Sequence, residues 1–419
     1  ARRQRQMCIR DSNRLMKYIN KNLTIEKVNI QKIVKKFGTP TYCYSHKQLE
    51  ENIKNFKKNF SSFSPLICFA VKSNTNVNLI REIRKLGLGA DVVSMGELMM
   101  ALKAGIDPKK IVFSGVGKTS TEISYAIDKK ILLINAESKS EIIEIEKIAK
   151  LKKKIVNIGI RLNPNTDAKT LKQISTGKKE NKFGVDEKTF FELVNFTNYS
   201  KNINLKCLSV HIGSQILDHK PYEKMLNVVN KIIKKSGHTF EFIDLGGGMG
   251  ISYEKNSKKL NYQKYNIAIQ KFLKGQKAKI IFEPGRSIVG NIGFLISQVI
   301  YIKENIKKDF IILDAAMNDL MRPALYGANH QTIPVVKSNN ISKKTYEFVG
   351  PICESTDKFT TIKGFQKLKE KDLVVMCDVG AYGMSLSSNY NLRPKPPELI
   401  IKGSKINIIK KRQKLKDLI

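Results

Sequence analysis

From about residue 66 the chain alternates short runs of apolar and β-branched residues with amphipathic stretches rich in Lys and Glu. The runs are LICFAVKS (66–73), GADVVS (89–94), IVFSG (111–115), ILLINAES (131–138), NIGIRLNP (157–164), LKCLSVHIG (205–213), FIDLGGG (242–248) and KIIFEPGRS (279–287). Between them, stretches such as VNLIREIRKLG (77–87) and SEIIEIEKIAKLKK (140–153) carry helical periodicity. Near-continuous apolar strands alternating with helices predict a parallel sheet covered by helices. Eight such units in this length of chain fit a (β/α)8 TIM barrel better than an open sheet. After about residue 290 the helical periodicity stops. The segments 293–305, 309–316, 344–350, 372–382 and 397–410 read as strands of a second, all-β domain, and GTPTYCYS (38–45) as an extended piece that joins it. The expected class is therefore α/β, a barrel at 46–290 with an all-β domain at 291–419 and an N-terminal segment, 14–45, that joins the β domain.

Composition changes this picture little. Of 419 residues, 41% are hydrophobic and 27% charged, which suits a globular chain and excludes general disorder. No run approaches the roughly 18 apolar residues that span a bilayer. Six scattered cysteines without a CxxC pair support neither a disulfide scaffold nor a Cys-type zinc site, so no metal is expected and the chain reads as cytoplasmic.

The net charge of +38 normally suggests nucleic acid. Only twelve of the 75 basic residues are arginine, however, and the lysines are spread over nearly every expected helix. Arginine is the residue that reads bases by bidentate contacts. The dispersion favours a compositional bias with weak polyanion affinity over a specific nucleic-acid site. Five of the twelve arginines crowd into Arg2, Arg3, Arg5, Arg10 and Arg14. Residues 1–13 read as a foreign or disordered leader, since they have neither an apolar core nor a small-residue cleavage site.

The unusual polar residues fall at the C-terminal ends of the barrel runs: Lys72, Asp91, Ser94, Ser114, Glu137, Arg161, Asn163, His211, Ser214, Gly246 to Gly248, and Glu283. In a barrel those ends converge on one face, where the active site lies. Lys72 ends an apolar run, where partial desolvation makes an amine a usable nucleophile; among so many lysines, a snorkelling surface residue is the alternative. GGGMG (246–250) allows close backbone approach to a phosphate, and its spacing does not fit the dinucleotide fingerprint. EPGR (283–286) adds a carboxylate, a rigid turn and a guanidinium. An amine, a phosphate cradle and a carboxylate on one face are what pyridoxal 5'-phosphate requires.

FAVKSNTN (69–76), GADVVSMGEL (89–98), RLNPN (161–165), STGKKENKFG (175–184), HIGSQ (211–215), DLGGGMG (244–250), EPGRSIVG (283–290), GPICESTD (350–357) and DVGAYGMSLSSNYN (378–391) together resemble the alanine-racemase-like, fold-type III pyridoxal enzymes. Within these, the diaminopimelate decarboxylase family is the most similar, from about residue 14 to 419. The resemblance implies that Lys72 carries the cofactor as a Schiff base and that His211 stacks on its ring. It implies that Ser214, Gly247, Gly248 and the backbone of Glu283, Pro284, Gly285 and Arg286 hold the phosphate, with Tyr382 nearby. Glu283 would pair with the ring nitrogen. Cys353, brought across from a second subunit of a homodimer with shared active sites, would be the acid that reprotonates the substrate carbon; a buried apolar role is the commoner fate of a free cysteine.

The expected reaction is decarboxylation of meso-2,6-diaminopimelate to L-lysine and carbon dioxide, the last step of lysine biosynthesis. Arg286, Arg322, Tyr326, Glu354 and Tyr382 are the expected substrate-binding residues. Arg322, in MRPALYGANH (321–330), and Arg286 offer planar donors for the distal carboxylate, and Glu354 an acceptor for the distal ammonium. An exposed ion pair is the alternative for Arg322. The rival functions are decarboxylation of another basic amino acid, of the ornithine, arginine or lysine type, and a non-catalytic barrel that binds the same cofactor.

Overall fold

The computed structural model of the protein describes residues 15–168, 170, 174–253 and 258–419. The leader 1–13 lies outside them. The described chain divides into two compact units, one of 52–251 and 258–288, the other of 15–51, 252–253 and 289–419.

In the first unit eight strands form a closed barrel: Leu66–Ala70, Gly89–Val92, Ile111–Phe113, Leu133–Ala136, Val156–Arg161, Ile203–Ser209, Phe242–Asp244 and Lys279–Phe282. Every neighbouring pair is parallel, and the last strand closes on the first through Ile281 opposite Leu66. Helices follow the strands, and their starts are written in the sequence as side-chain caps. Asn76, Ser94, Ser138 and Asp186 each accept a backbone N–H of the first helical turn, and Thr119 with Glu122 forms a reciprocal capping box. Ser94 and Ser138 stop the extended chain directly after Gly89–Val92 and Leu133–Ala136, which leaves Val93 and Glu137 on the C-terminal face. Inside the barrel, Cys68, Val112, Leu133, Cys207, Phe242 and Ile281 make one apolar layer. Burial pushes the thiols of Cys68 and Cys207 well above their usual range, so both stay neutral and serve as packing. Above this layer the interior turns polar.

In the second unit the sheet runs Lys358–Lys363, Thr345–Val349, Lys308–Leu313, Gly293–Lys303, Thr41–Ser45, Glu398–Lys402 and Lys405–Lys410, with Leu373–Cys377 and Thr332–Pro334 branching from it. Thr41–Ser45 pairs antiparallel with Gly293–Lys303 and parallel with Glu398–Lys402. Two details differ from expectation. The run 397–410 is a hairpin that turns at Gly403, where φ is +62° and a side chain would be strained. The unit also contains helices, Ile30–Phe37 and the short Arg322–Tyr326, the latter too brief to show a period. Met16, Leu23, Ile25, Ile33, Phe294, Ile296, Val375 and Leu399 are buried in one core.

Candidate active site

Lys72 lies in a single 3-10 turn, Val71–Ser73, directly after the first barrel strand. Its Nζ donates to Asp91 Oδ2 at 2.5 Å; Asp91 is fully buried on the second strand, while the lysine side chain is 37% exposed. The turn is stitched to the loop after the last strand. Ala70 N donates to Pro284 O at 3.1 Å, and Gly285 packs against Ser73. The first and eighth strands are neighbours in the barrel, so residues two hundred positions apart share one rim.

Below that rim sits a ring of buried polar groups. Glu283 Oε1 accepts from Ser114 Oγ at 3.2 Å, and Ser114 Oγ accepts from Asn135 Nδ2 at 3.3 Å. Asn135 Nδ2 also donates to Asp244 Oδ2 at 3.0 Å, so that Asn135 and Ser114 link Asp244 to Glu283. Asp244 further accepts from Gly246 N at 2.9 Å and Ser209 Oγ at 3.3 Å. Burial and the neighbouring carboxylates raise both acids, Asp244 to about 6 and Glu283 well above its usual value. Glu97, half-buried on the helix after Asp91, is raised by burial to about 7, against the pull of Lys72.

The glycine loop closes a third side. A Cβ on Gly247 would lie 2.1 Å from Glu283 O, and Gly248, with φ +87°, would place one 2.3 Å from Gly213 O. Only glycine lets this backbone pack there. The N–H of Gly247 donates to His211 Nδ1 at 3.2 Å. Burial, then Arg161 and Lys72, push the His211 pKa well down, so the ring is neutral. Because Nδ1 accepts, its proton is on Nε2. Arg286, buried, donates from Nη2 to Ser214 Oγ at 3.2 Å. Alongside, the buried pair of Arg161 Nη1 and Glu137 Oε1, 2.9 Å apart, anchors the loop that follows: Gly184 N donates to Glu137 Oε2, and Arg161 stacks on Phe183.

The remaining expected residues belong to the second unit. Cys353 is exposed, whereas the other four cysteines among the described residues are buried. Its loop is clamped by Asp357, which accepts from Ile352 N and Met317 N, both at 2.7 Å. Glu354 accepts from Tyr390 OH at 2.5 Å and Thr356 Oγ1 at 2.9 Å, which lowers its pKa. Arg322 is 6% exposed, which removes the exposed-ion-pair alternative. Its Nη1 lies 2.8 Å from His330 Nε2 and its guanidinium 4.7 Å from the Tyr253 ring centre. His330 Nδ1 donates to Cys377 O at 2.9 Å, which leaves Nε2 to accept from the arginine. Tyr326 and Tyr382 are half-buried, Tyr382 with a positive φ of 58°.

Asp244, Asn135, Ser209, Glu97 and His330 did not stand out in the sequence. The first three sit within strands, where a polar residue in an apolar run was the available clue. His330 is eight residues beyond Arg322, and nothing in that spacing pairs them.

The barrel mouth suits pyridoxal 5'-phosphate. It offers one amine at the rim, a guanidinium and a hydroxyl beside a glycine loop for an anion, a neutral imidazole, and a buried acid that holds its proton. Asp91 Oδ1, buried with no hydrogen-bond partner among the described residues, adds an acceptor beside the amine.

A family model, Pyridoxal-dependent decarboxylase, pyridoxal binding domain, matches residues 46–290. Diaminopimelate decarboxylase of Aquifex aeolicus is 39% identical over 97% of this chain and 96% of its own length. That of Helicobacter pylori strain J99 is 42% identical over 93% and 97%. The crystal structure of diaminopimelate decarboxylase from Helicobacter pylori complexed with L-lysine superposes with a TM-score of 0.89, at 42% identity, covering 93% of this chain and 98% of that one. Lysine/ornithine decarboxylase from Vibrio vulnificus, at 18% identity and a TM-score of 0.77, shares the fold. A lysine that faces a buried acid pair across one barrel mouth, in a chain similar to these relatives over nearly its whole length, places this chain in the diaminopimelate decarboxylase family of fold-type III pyridoxal-dependent decarboxylases.

Proposed function

We propose that the chain decarboxylates meso-2,6-diaminopimelate to L-lysine and carbon dioxide, using pyridoxal 5'-phosphate, as a cytoplasmic homodimer with shared sites. The observation that carries the chemistry is Lys72 Nζ on the same barrel mouth as the proton-holding Glu283. Membership of the diaminopimelate decarboxylase family carries the substrate. The match to the pyridoxal-binding family model supports the barrel domain as 46–290. Among the described residues no helix is long and apolar enough to cross a membrane.

Bound cofactor supplies a conjugated, cationic ring that takes up the electron pair left when the substrate's carboxylate departs as carbon dioxide. Lys72 would hold it covalently through its amine, with Asp91 fixing Nζ at the rim. Arg286, the Ser214 hydroxyl and the backbone of Gly247, Gly248 and Pro284 to Arg286 would bind the phosphate, with Tyr382 beside it. Glu283 would keep a proton facing the ring nitrogen. Neutral His211 would cover the ring face without adding a second positive charge against it. Arg322, assisted by Arg286 and Tyr326, would take the distal carboxylate, and Glu354 the distal ammonium. The Cys353 thiol of the partner protomer would donate its proton to the substrate carbon that has lost its carboxylate.

Cofactor-loaded protein incubated separately with diaminopimelate, ornithine, arginine and lysine is expected to release carbon dioxide from diaminopimelate alone at an appreciable rate. Release from ornithine or arginine at a comparable rate would replace the substrate assignment. No release from any of them would favour the non-catalytic barrel.

Sharing of sites has its own test. Lys72→Ala and Cys353→Ala proteins are each expected to be inactive. Mixed and allowed to exchange subunits, they should regain activity, because the mixed dimer contains one site with both lesions and one with neither. Demonstrated exchange without recovery would mean that each site is built within one chain.

A further inference from the structure

The ring beneath the rim contains an acid that the proposed chemistry does not use. Asp244 is fully buried and joined through Asn135 and Ser114 to Glu283, itself 8% exposed. Two carboxylates joined by so short a chain of buried hydrogen bonds cannot both be ionised without severe repulsion, so the pair retains one proton between them. The hydrogen bonds decide where it rests. Asp244 receives three donors, Gly246 N, Asn135 Nδ2 and Ser209 Oγ, whereas Glu283 receives Ser114 Oγ. Donors favour the ionised form, which leaves the proton on Glu283.

The orientation of Asn135 agrees with this. Its amide nitrogen faces Asp244 and Ser114, while its oxygen is buried beside Gly159 with no partner among the described residues. An acceptor-only carboxylate needs the nitrogen on its side. Asp91 and Lys72 also face Glu283, and Asp91 faces Asp244; Cys68, Cys207 and Tyr265 stand close by, with burial holding each of them neutral.

We propose that Asp244 is a positioning residue that locks one proton onto Glu283, so that the acid assigned to the cofactor's ring nitrogen is already protonated before the cofactor binds. This rests on the reading of the barrel mouth as a pyridoxal phosphate site, and not on the identity of the substrate. The proton balance is simple. Glu283 O–H shares its proton with the ring nitrogen, the pair gains one negative charge as the ring gains one positive, and no proton is drawn from solvent. Without Asp244, Glu283 would stay buried but lose its strongest negative neighbour, and beside Lys72 it would ionise, so that the same proton would have to come from water.

The test is a proton count on the apoprotein at pH 8, with pyridoxine 5'-phosphate as probe. It has the ring nitrogen and the phosphate but no aldehyde, so Lys72 does not react with it. Calorimetric titration in two buffers of different ionisation enthalpy reads the protons taken up per site. Asp244→Asn is expected to take up about one proton more than the wild type, with its circular dichroism and probe binding retained. Equal uptake in the two proteins would overturn the proposal.

If Asp244→Asn does not fold, infrared spectroscopy of the wild-type apoprotein decides. A protonated carboxyl band is expected to persist at pH 8 and to be missing in Glu283→Gln; its absence from the wild type overturns the proposal. Failure of the protein to bind the probe at all would instead count against the pyridoxal phosphate site, and with it the inference. A lack of turnover of diaminopimelate would leave the proton count unchanged.

Discussion

Lys72→Ala is expected to fold, to bind cofactor weakly, and to lose the visible absorption band of lysine-bound pyridoxal phosphate together with turnover. The loss in kcat should be at least about a thousandfold, the scale seen when a member of a covalent catalytic unit is removed. The structure sharpens this expectation. Lys72 is one of 63 lysines, but it is the one whose Nζ meets Asp91 on the barrel rim, with its turn tied to the Pro284 loop. Absorption spectra and carbon dioxide release on the same preparation check it. Persistence of the band through another lysine would show the assignment to be wrong. Asp91→Asn, which keeps the shape and removes the charge, should retain the band and lower the rate, since it leaves Nζ present but less firmly held.

Arg322→Ala tests the choice of substrate. Losing one partner of a charge-assisted pair in a site closed to water costs on the order of 2–5 kcal/mol. At about 1.4 kcal/mol per decade, kcat/KM for diaminopimelate should fall roughly thirtyfold to several-thousandfold. Lysine and ornithine lack the distal carboxylate, so any trace turnover of them should be unchanged. Arg322→Lys should recover little, because an ammonium reproduces neither the planar fork nor the stacking on Tyr253. Cofactor absorbance should stay intact. The buried contact with His330 gives a second readout, since Arg322→Ala leaves His330 Nε2 without this donor and should lower the thermal midpoint modestly. Equal depression of every substrate, or release of the cofactor, would make Arg322 a structural residue.

Much of this was legible along the chain because a barrel turns sequence order into spatial order. Once eight apolar runs are recognised as parallel strands, the residues that end them must meet on one rim, and Lys72, His211, the glycine loop and Glu283 do. Strand formation depends on local runs of apolar residues, and helix starts on local caps such as Ser94 and Thr119, so both are written in short stretches. The β unit was less legible. Thr332–Pro334 and the helix Arg322–Tyr326 are too short to carry a period, and the run 397–410 concealed a turn that only the φ of Gly403 reveals.

What composition and periodicity could not supply was the state of the polar groups. That Asp91 is buried against Lys72, that Asn135 and Ser114 link Asp244 to Glu283, and that Arg322 rests on His330 follow from distances between residues far apart in the chain or unrelated by any period. Protonation depends on burial and on which donors surround each oxygen, and both exist only after the strands have closed. The residue types that carry the chemistry were therefore set by the sequence, while their charges, tautomers and partners were decided by packing.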